Sequence, residues 1–179
     1  MAPIEVLFGI MVAIFTLIGY ARGFLRELGV TAVMVWTLFV LSLIGPLLER
    51  ILGGDPLTAN RAAVFSAGYL VIIIVAALVS YHGETLAFAG VSPQGVTGAV
   101  LNLLIGLVNG YLISGSLWYY MARFNYPIRF LGITSQGLSS VAQALQPYLP
   151  PALLGQPVLL GQNMLLYLSV LLIMAKVIR

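Results

Sequence analysis

The sequence predicts an all-α integral membrane protein, a bundle of four to five transmembrane helices with one amphipathic helix on the membrane surface. Of its 179 residues, 61% are hydrophobic and 7% are charged, whereas about a quarter of the residues in a soluble domain carry a charge. The apolar residues fall into blocks of about 20, the length that crosses a hydrocarbon core of about 30 Å. From 135 to 149 the apolar residues instead recur at helical spacing among polar ones, which is typical of a surface helix.

Four continuous apolar runs predict crossing helices, with approximate bounds Ile4–Tyr20, Leu28–Leu48, Ala62–Tyr81 and Val96–Met121. The third run can continue past His82 towards Phe88. The fourth ends in Trp118-Tyr119-Tyr120, and such aromatic residues are enriched where a span meets the membrane interface. A link dense in turn residues separates the second run from the third.

The last part of the chain is predicted to contain a surface helix and a fifth span. Leu138, Val141, Leu145 and Leu149 share one face of the predicted helix Ser135–Leu149, and three prolines from Pro147 onwards end it. The run Val158–Ile178 is long enough to cross the membrane. We therefore divide the chain into a four-span membrane domain over 1–152, with the surface helix at about 135–149, and a C-terminal extension over 153–179.

The charged residues exclude several classes of function. The net charge is +3 and no cysteine is present, so neither a phosphate-binding stripe for nucleic acid nor a thiolate site is expected. His82 is the only histidine, and both His82 and Glu5 are expected at the membrane interface. No nucleophile has a matching base. We therefore expect that the protein is not an enzyme and that it holds neither a cofactor nor a metal ion.

The first short loop, Gly19 to Glu27, is the most distinctive stretch of the sequence. Arg22 and Arg26 are four residues apart and share a helix face, Glu27 can pair with one of them, and Gly23 and Phe24 between them favour a tight turn. One interpretation is a lipid-headgroup or partner-binding site that fixes the helical hairpin. The other is two arginines that reach out of a span end to water. The Lys/Arg count of the loops divides four to four, and the first loop places Arg22 and Arg26 in the cytoplasm.

The fourth span carries a stripe of small and polar residues at helical spacing, which predicts close helix packing. Its members are Gly98, Asn102, Gly106, Asn109, Gly110 and Ser114. Glycines four apart let two backbones approach, and the two asparagines can form hydrogen bonds across the contact. The alternative interpretation is a pore lined by Asn102 and Asn109.

These motifs resemble the colicin V production protein (CvpA) family of bacterial inner-membrane proteins. The stretch from Gly19 to Glu27 is similar to the family's Gly-x-x-Arg-Gly-Phe-x-Arg-Glu signature, and the break at Gly90 with the glycine-rich fourth span is a second match. The proline-terminated segment from Ser139 to Pro150 is a third, weaker match. The resemblance covers about residues 4–152.

This sequence departs from the family pattern at two asparagines. Asn102 stands where the family often has a further glycine, and Asn109 stands where a basic residue commonly precedes the last glycine. The fifth span is an addition to the usual four. The resemblance implies a multi-pass protein of the bacterial inner membrane that is linked to colicin V, a toxin, through its production or export.

The expected function is that of a non-enzymatic structural or accessory component. Short loops leave the lipid-facing surface as the largest surface available for recognition, so the expected partners are membrane lipids and other membrane-protein helices or a second copy. The alternative is a small channel or transporter, possibly oligomeric, with a polar path near Asn102, Asn109 and the arginines of the first loop.

Overall fold

A computed structural model describes residues 3–51, 59–82, 88–128, 132–133 and 137–177. Four long helices form most of it: α1 (Ile4–Arg22), α2 (Phe24–Ile51), α3 (Ala59–His82) and α4 (Gly95–Arg123). Each is long and apolar enough to cross a membrane. The chain is therefore an all-α membrane protein, and its four predicted spans are confirmed as helices.

A smaller C-terminal part follows the four long helices. It consists of α5 (Ser140–Leu145), a 3-10 turn (Gln146–Tyr148), α6 (Pro150–Leu154), the antiparallel strands β1 (Pro157–Leu159) and β2 (Gln162–Asn163), and α7 (Met164–Val177). This part packs back against the bundle, because α6 lies against α4 and α7 against α2.

The helices alternate in direction, as successive crossings require. Along α1 the contacts with α4 run backwards, from Gly19 beside Gly106 to Phe8 beside Trp118, so α1 and α4 are antiparallel. Helix α2 lies in the middle and contacts α3, α4 and α7. Among the described residues, the main core has fourteen buried members: Val30, Met34, Val35, Leu38, Leu41, Ala62, Tyr69, Ile73, Ala77, Leu112, Ile113, Tyr120, Phe124 and Leu165.

The loop predicted between the first two spans is shorter than expected. Helix α1 continues to Arg22 and α2 begins at Phe24, so Gly23 alone interrupts them. Its backbone has φ 90° and ψ 157°, a conformation essentially restricted to glycine. The third span ends at His82; residues 83–87 lie outside the described part, and Phe88 is not helical.

The prediction of one continuous surface helix over Ser135–Leu149 is wrong. Within the described residues the helix covers only Ser140–Leu145, which Ser139 begins by accepting a hydrogen bond from the Ala142 N–H at 3.0 Å. A 3-10 turn follows, and Pro150 then starts α6 instead of ending a helix, since proline suits the first helical position. Residues 134–136 lie outside the described part.

The predicted fifth helix begins later than expected. Residues 157–163 form a hairpin in place of the first turns of a span, because Leu160 and Gly161 both adopt positive φ, at 50° and 73°, as a two-residue hairpin turn requires. Asn163 then caps α7 by accepting from the Leu166 N–H at 3.0 Å. The helix that remains has 14 residues, about 21 Å, so it is too short to cross the bilayer alone; Ile178 lies outside the described part.

Candidate functional site

The contact between α1 and α4 depends on glycine. A side chain at Gly106 would lie 2.9 Å from the carbonyl oxygens of Phe15 and Thr16 and 3.0 Å from the Gly19 Cα. One at Gly110 would lie 2.9 Å from the Val12 Cα. Real Cβ atoms do not tolerate such distances to backbone, so both positions bring the two helices into backbone contact, as expected for GxxxG packing. The stripe therefore contacts a helix of the same chain.

The remaining members of the stripe have different surroundings. Gly98 lies against the carbonyl of Pro93, in the segment that leads into α4, and not against another helix. The backbone oxygen of Asn102 faces Gly19, and among the described residues its buried side-chain Oδ1 has no hydrogen-bond partner. Ser114 is buried without a described partner and lines an apolar cavity of about 140 Å³ between α1 and α4.

Asn109 belongs both to the stripe and to a buried polar cluster. We call this group the Glu27 cluster, and its members are Arg22, Glu27, Thr31, Tyr81 and Asn109. The side chain of Glu27 is fully buried, and Arg22 Nη1 donates to its Oε1 at 3.0 Å. Its Oε2 accepts from Asn109 Nδ2 at 2.8 Å and from the Tyr81 hydroxyl at 3.1 Å. Both carboxylate oxygens therefore have donors.

Further hydrogen bonds join the Glu27 cluster to the backbone. Asn109 Nδ2 also donates to the Glu27 carbonyl at 2.9 Å, and the Thr31 hydroxyl donates to Asn109 Oδ1 at 2.7 Å. Arg22 Nη2 donates to the Tyr81 carbonyl at 3.3 Å, and its guanidinium lies 4.6 Å from the centre of the Tyr81 ring. The cluster thus connects α1, α2, α3 and α4 around one carboxylate.

The interruption between α1 and α2 at Gly23 places the two charged side chains of the Glu27 cluster next to each other. Its N–H donates to the Gly19 carbonyl at 3.0 Å and its carbonyl accepts from the Glu27 N–H at 3.2 Å, so one residue both ends α1 and starts α2. Arg22 and Glu27 then face each other across the turn. Phe24 is half-buried, while Arg26 lies on the exposed side of the first turn of α2.

A second ion pair, which the sequence reasoning missed, lies towards the other end of α2. Arg123 Nη2 donates to Glu49 Oε2 at 3.0 Å, and the Tyr69 hydroxyl donates to Glu49 Oε1 at 3.0 Å. The Tyr69 ring stacks on Tyr120 with centres 4.2 Å apart. We call these four residues the Glu49 cluster. Its only sequence signal is an acidic residue and a basic residue that each follow an apolar run.

Polar contacts continue where the chain leaves α4. The Tyr126 hydroxyl accepts from Trp118 Nε1 at 3.0 Å and from Gln146 Nε2 at 3.3 Å. Burial raises the pKa of Tyr126, and these two hydrogen bonds partly oppose the rise. Glu5 accepts from the Ser139 hydroxyl at 2.5 Å. These bonds attach the residues after α4 to the start of α1.

The chemistry available to these clusters is limited. Within the described part of the chain, no three histidine, aspartate or glutamate side chains lie close enough to hold a metal ion. His82 is exposed at the end of α3; Glu84 lies outside the described residues. Each ion pair joins helices, and Arg123 of the second pair also lines an open cavity of about 340 Å³ together with Gln146 and Leu149. The described groups are therefore arranged for packing.

In comparisons with known proteins, no protein-family model, no curated protein and no solved structure matches this chain.

Proposed function

We propose that this chain is a non-enzymatic membrane protein that serves as a structural or accessory component beside other membrane helices. The observation that carries the proposal is the Glu27 cluster. Donors from three side chains occupy both oxygens of the Glu27 carboxylate, and removal of a partner from a buried ion pair is strongly destabilising because it leaves a charge uncompensated. A carboxylate that exchanges protons during a transport cycle would have to break these contacts each time.

The surface available to a partner is the outward face of α1 and α3. The glycine stripe is used within the chain, so it is not the recognition surface expected from the sequence. Helix α1 has only two buried residues, Ile4 and Gly19, and α3 exposes an apolar face that includes Val71 and Val75 at 58% and 50% exposure. These faces suit lipid or an apolar helix. By resemblance to the colicin V production protein family, we place this role in a bacterial inner membrane and in toxin production or export.

Photo-crosslinking from the outward face of α3 tests this proposal. A photoreactive residue at Val71 is expected to form the same protein adduct in repeated membrane preparations, because this side chain points away from the bundle. Ile73, on the same helix but fully buried, is the matched control and should crosslink only within the chain. Adducts to lipid alone at Val71 and at Val75 would contradict the proposal.

A small channel is the second candidate function. The observation that favours it is a set of buried oxygens on α4, at Asn102, Ser114 and Ser116, which have no hydrogen-bond partner among the described residues and would suit a polar path. Purified protein in liposomes distinguishes the two candidates. An accessory component leaves ion flux at the level of protein-free liposomes, whereas a channel raises it, and Asn102→Ala would then change that flux.

A further inference from the structure

The cavity between α1 and α4 begins where the backbone contact of the two helices ends. The helices touch through their backbones at Gly106 and Gly110. Further along the pair, the rings of Phe8 and Trp118 meet with their centres 5.4 Å apart, and side chains of this size keep the helix axes further apart than glycine does. The apolar cavity of about 140 Å³ lies beside these rings and reaches Ser114, one turn beyond Gly110. The change from glycine to aromatic residues thus opens the gap.

The lining of this cavity combines an apolar surface with one serine. Eight residues line it, and six of them are aliphatic residues, methionine or phenylalanine. The other two are Trp118, whose indole N–H donates to the Tyr126 hydroxyl at 3.0 Å, and Ser114. Ser114 is only 6% exposed, and within the described part of the chain its hydroxyl has no hydrogen-bond partner. The cavity therefore offers a single unsatisfied side-chain hydroxyl on an apolar wall.

The Ser114 hydroxyl differs from other hydroxyls in the long helices. Thr16 and Thr37 each donate to a backbone carbonyl one turn earlier, both at 2.8 Å, which is a common arrangement in helices. A buried hydroxyl without such a bond is costly. Water is a poor partner for it, because a buried water needs about two to four polar contacts and the lining side chains supply one. The hydroxyl therefore suits a ligand that brings a hydrogen-bonding group together with apolar surface.

The size and the surface of the cavity fit one aromatic ring. An engineered apolar cavity of about 150 Å³ takes up benzene, and this cavity has about 140 Å³. Phe8 and Trp118 present aromatic surface for stacked or edge contacts, and Met11 and Met121 add flexible side chains whose sulfur atoms favour aromatic neighbours. Leu7 in the lining is 48% exposed, so the cavity opens sideways on α1, where a molecule dissolved in the membrane can enter.

We propose that the cavity between α1 and α4 binds a phenol, a membrane-soluble compound with one aromatic ring and one hydroxyl group, through a hydrogen bond to Ser114. A phenol hydroxyl both donates and accepts, as a serine hydroxyl does, so the two groups can satisfy each other. A hydrocarbon ring or a lipid acyl chain fills the same volume but leaves the Ser114 hydroxyl unpaired. The inference does not rest on the proposed accessory function, because this binding needs neither a partner protein nor ion flux.

Quenching of tryptophan fluorescence tests the site. The chain has two tryptophans, and of these Trp118 lines the cavity while Trp36 is 47% exposed on α2. Trp36→Phe therefore leaves the tryptophan of the cavity as the only one. In detergent, para-bromophenol should quench the fluorescence of this full-length variant saturably, because a bromine atom quenches a tryptophan that it contacts. The comparison ligand is para-bromotoluene, which has a similar size but no hydroxyl.

Two serine variants of α4, each made together with Trp36→Phe, measure the role of the hydroxyl. Ser114→Ala should weaken the binding of para-bromophenol by about 2- to 12-fold, the factor that one hydrogen bond contributes, and leave that of para-bromotoluene unchanged. Ser116→Ala is the matched control, because its hydroxyl is also buried without a described partner but Ser116 is not in the lining. It should leave both affinities unchanged. If Ser114→Ala does not fold, Ser114→Cys gives the same comparison, since a thiol is a weaker donor and acceptor.

Three results would overturn the proposal. Quenching that rises with ligand concentration without saturation would mean that the brominated compounds only dissolve in the detergent micelle. If Ser114→Ala weakens both ligands equally, or neither of them, the site does not recognise the hydroxyl. Quenching of Trp118 by phospholipids with brominated acyl chains, if phenol does not relieve it, would mean that a lipid chain fills the cavity.

Discussion

Asn109 shows how one buried side chain can connect the helices of a membrane protein through several hydrogen bonds. It is fully buried at the middle of α4, where its amide nitrogen donates to both the carbonyl and the carboxylate of Glu27 and its oxygen accepts from Thr31. Each bond across membrane helices contributes only about 0.6 kcal/mol on average, up to about 1.7. Several bonds at one charged group add up, because loss of any donor leaves a buried carboxylate short of a partner.

Substitutions of the two asparagines of α4 are therefore expected to differ in how much they lower thermal stability. Asn109→Ala should lower the melting temperature in detergent clearly, at a cost of about 1–3 kcal/mol for unsatisfied buried groups. Asn102→Ala removes an oxygen that has no described partner and should cost about 0.6 kcal/mol or less. Thermal unfolding of the two variants side by side checks this. Equal losses would mean that the hydrogen bonds to Glu27 contribute little.

Sequence reasoning singled out Arg22, Glu27 and Asn109 of the Glu27 cluster, but neither Thr31 and Tyr81 nor the contact of Asn109 with Glu27. The small-residue spacing of α4 and the charged first loop are local patterns, so residues as near as Arg22 and Glu27 can be paired from the sequence. Asn109 lies 82 residues from Glu27, and no local pattern indicates which of two similar asparagines faces a carboxylate. The Glu49 cluster was missed for the same reason, as Glu49 and Arg123 lie 74 residues apart.

At the scale of elements, the packing of α1 on α4 explains why α1 needs so few buried side chains. Backbone contact at Gly106 and Gly110 replaces side-chain interdigitation, so dispersion contacts between the two backbones hold the pair. The continuous apolar runs and the glycine spacing predicted these elements correctly. The hairpin was not predicted, since Val158-Leu159-Leu160 is as apolar as a span and Gly161 was its only turn signal.

Gly106→Leu should be among the most damaging substitutions in α4. Its side chain has no space against Phe15 and Gly19, and the overpacking should cost about 1–3 kcal/mol or more. Gly9→Leu is the matched control, because a Cβ at Gly9 meets nothing within 4 Å and leucine favours helix. We expect the melting temperature in detergent to fall sharply for Gly106→Leu and to stay close to that of the wild type for Gly9→Leu. Similar melting of both would mean that α1 and α4 are not in backbone contact.

For the whole molecule, two charged clusters towards opposite ends of α2 connect the helices of the bundle. The Glu27 cluster joins the ends of α1 and α3 to the start of α2 and the middle of α4, and the Glu49 cluster joins α2, α3 and α4 at the opposite end. Composition and the length of the apolar runs were sufficient to predict a bundle of this size. The cross-links that fix its arrangement depend on tertiary contacts between residues far apart in sequence.

A double-mutant cycle at Arg22 and Glu27 measures whether the ion pair of the Glu27 cluster holds the bundle together. Arg22→Gln, Glu27→Gln and the double variant would be unfolded thermally in the same detergent, with Arg50→Gln as the control for a charge on the exposed side of α2. We predict a coupling energy of about 0.5–3 kcal/mol between positions 22 and 27, with a melting temperature for Arg50→Gln close to that of the wild type. Additive effects at Arg22 and Glu27 would contradict the claim.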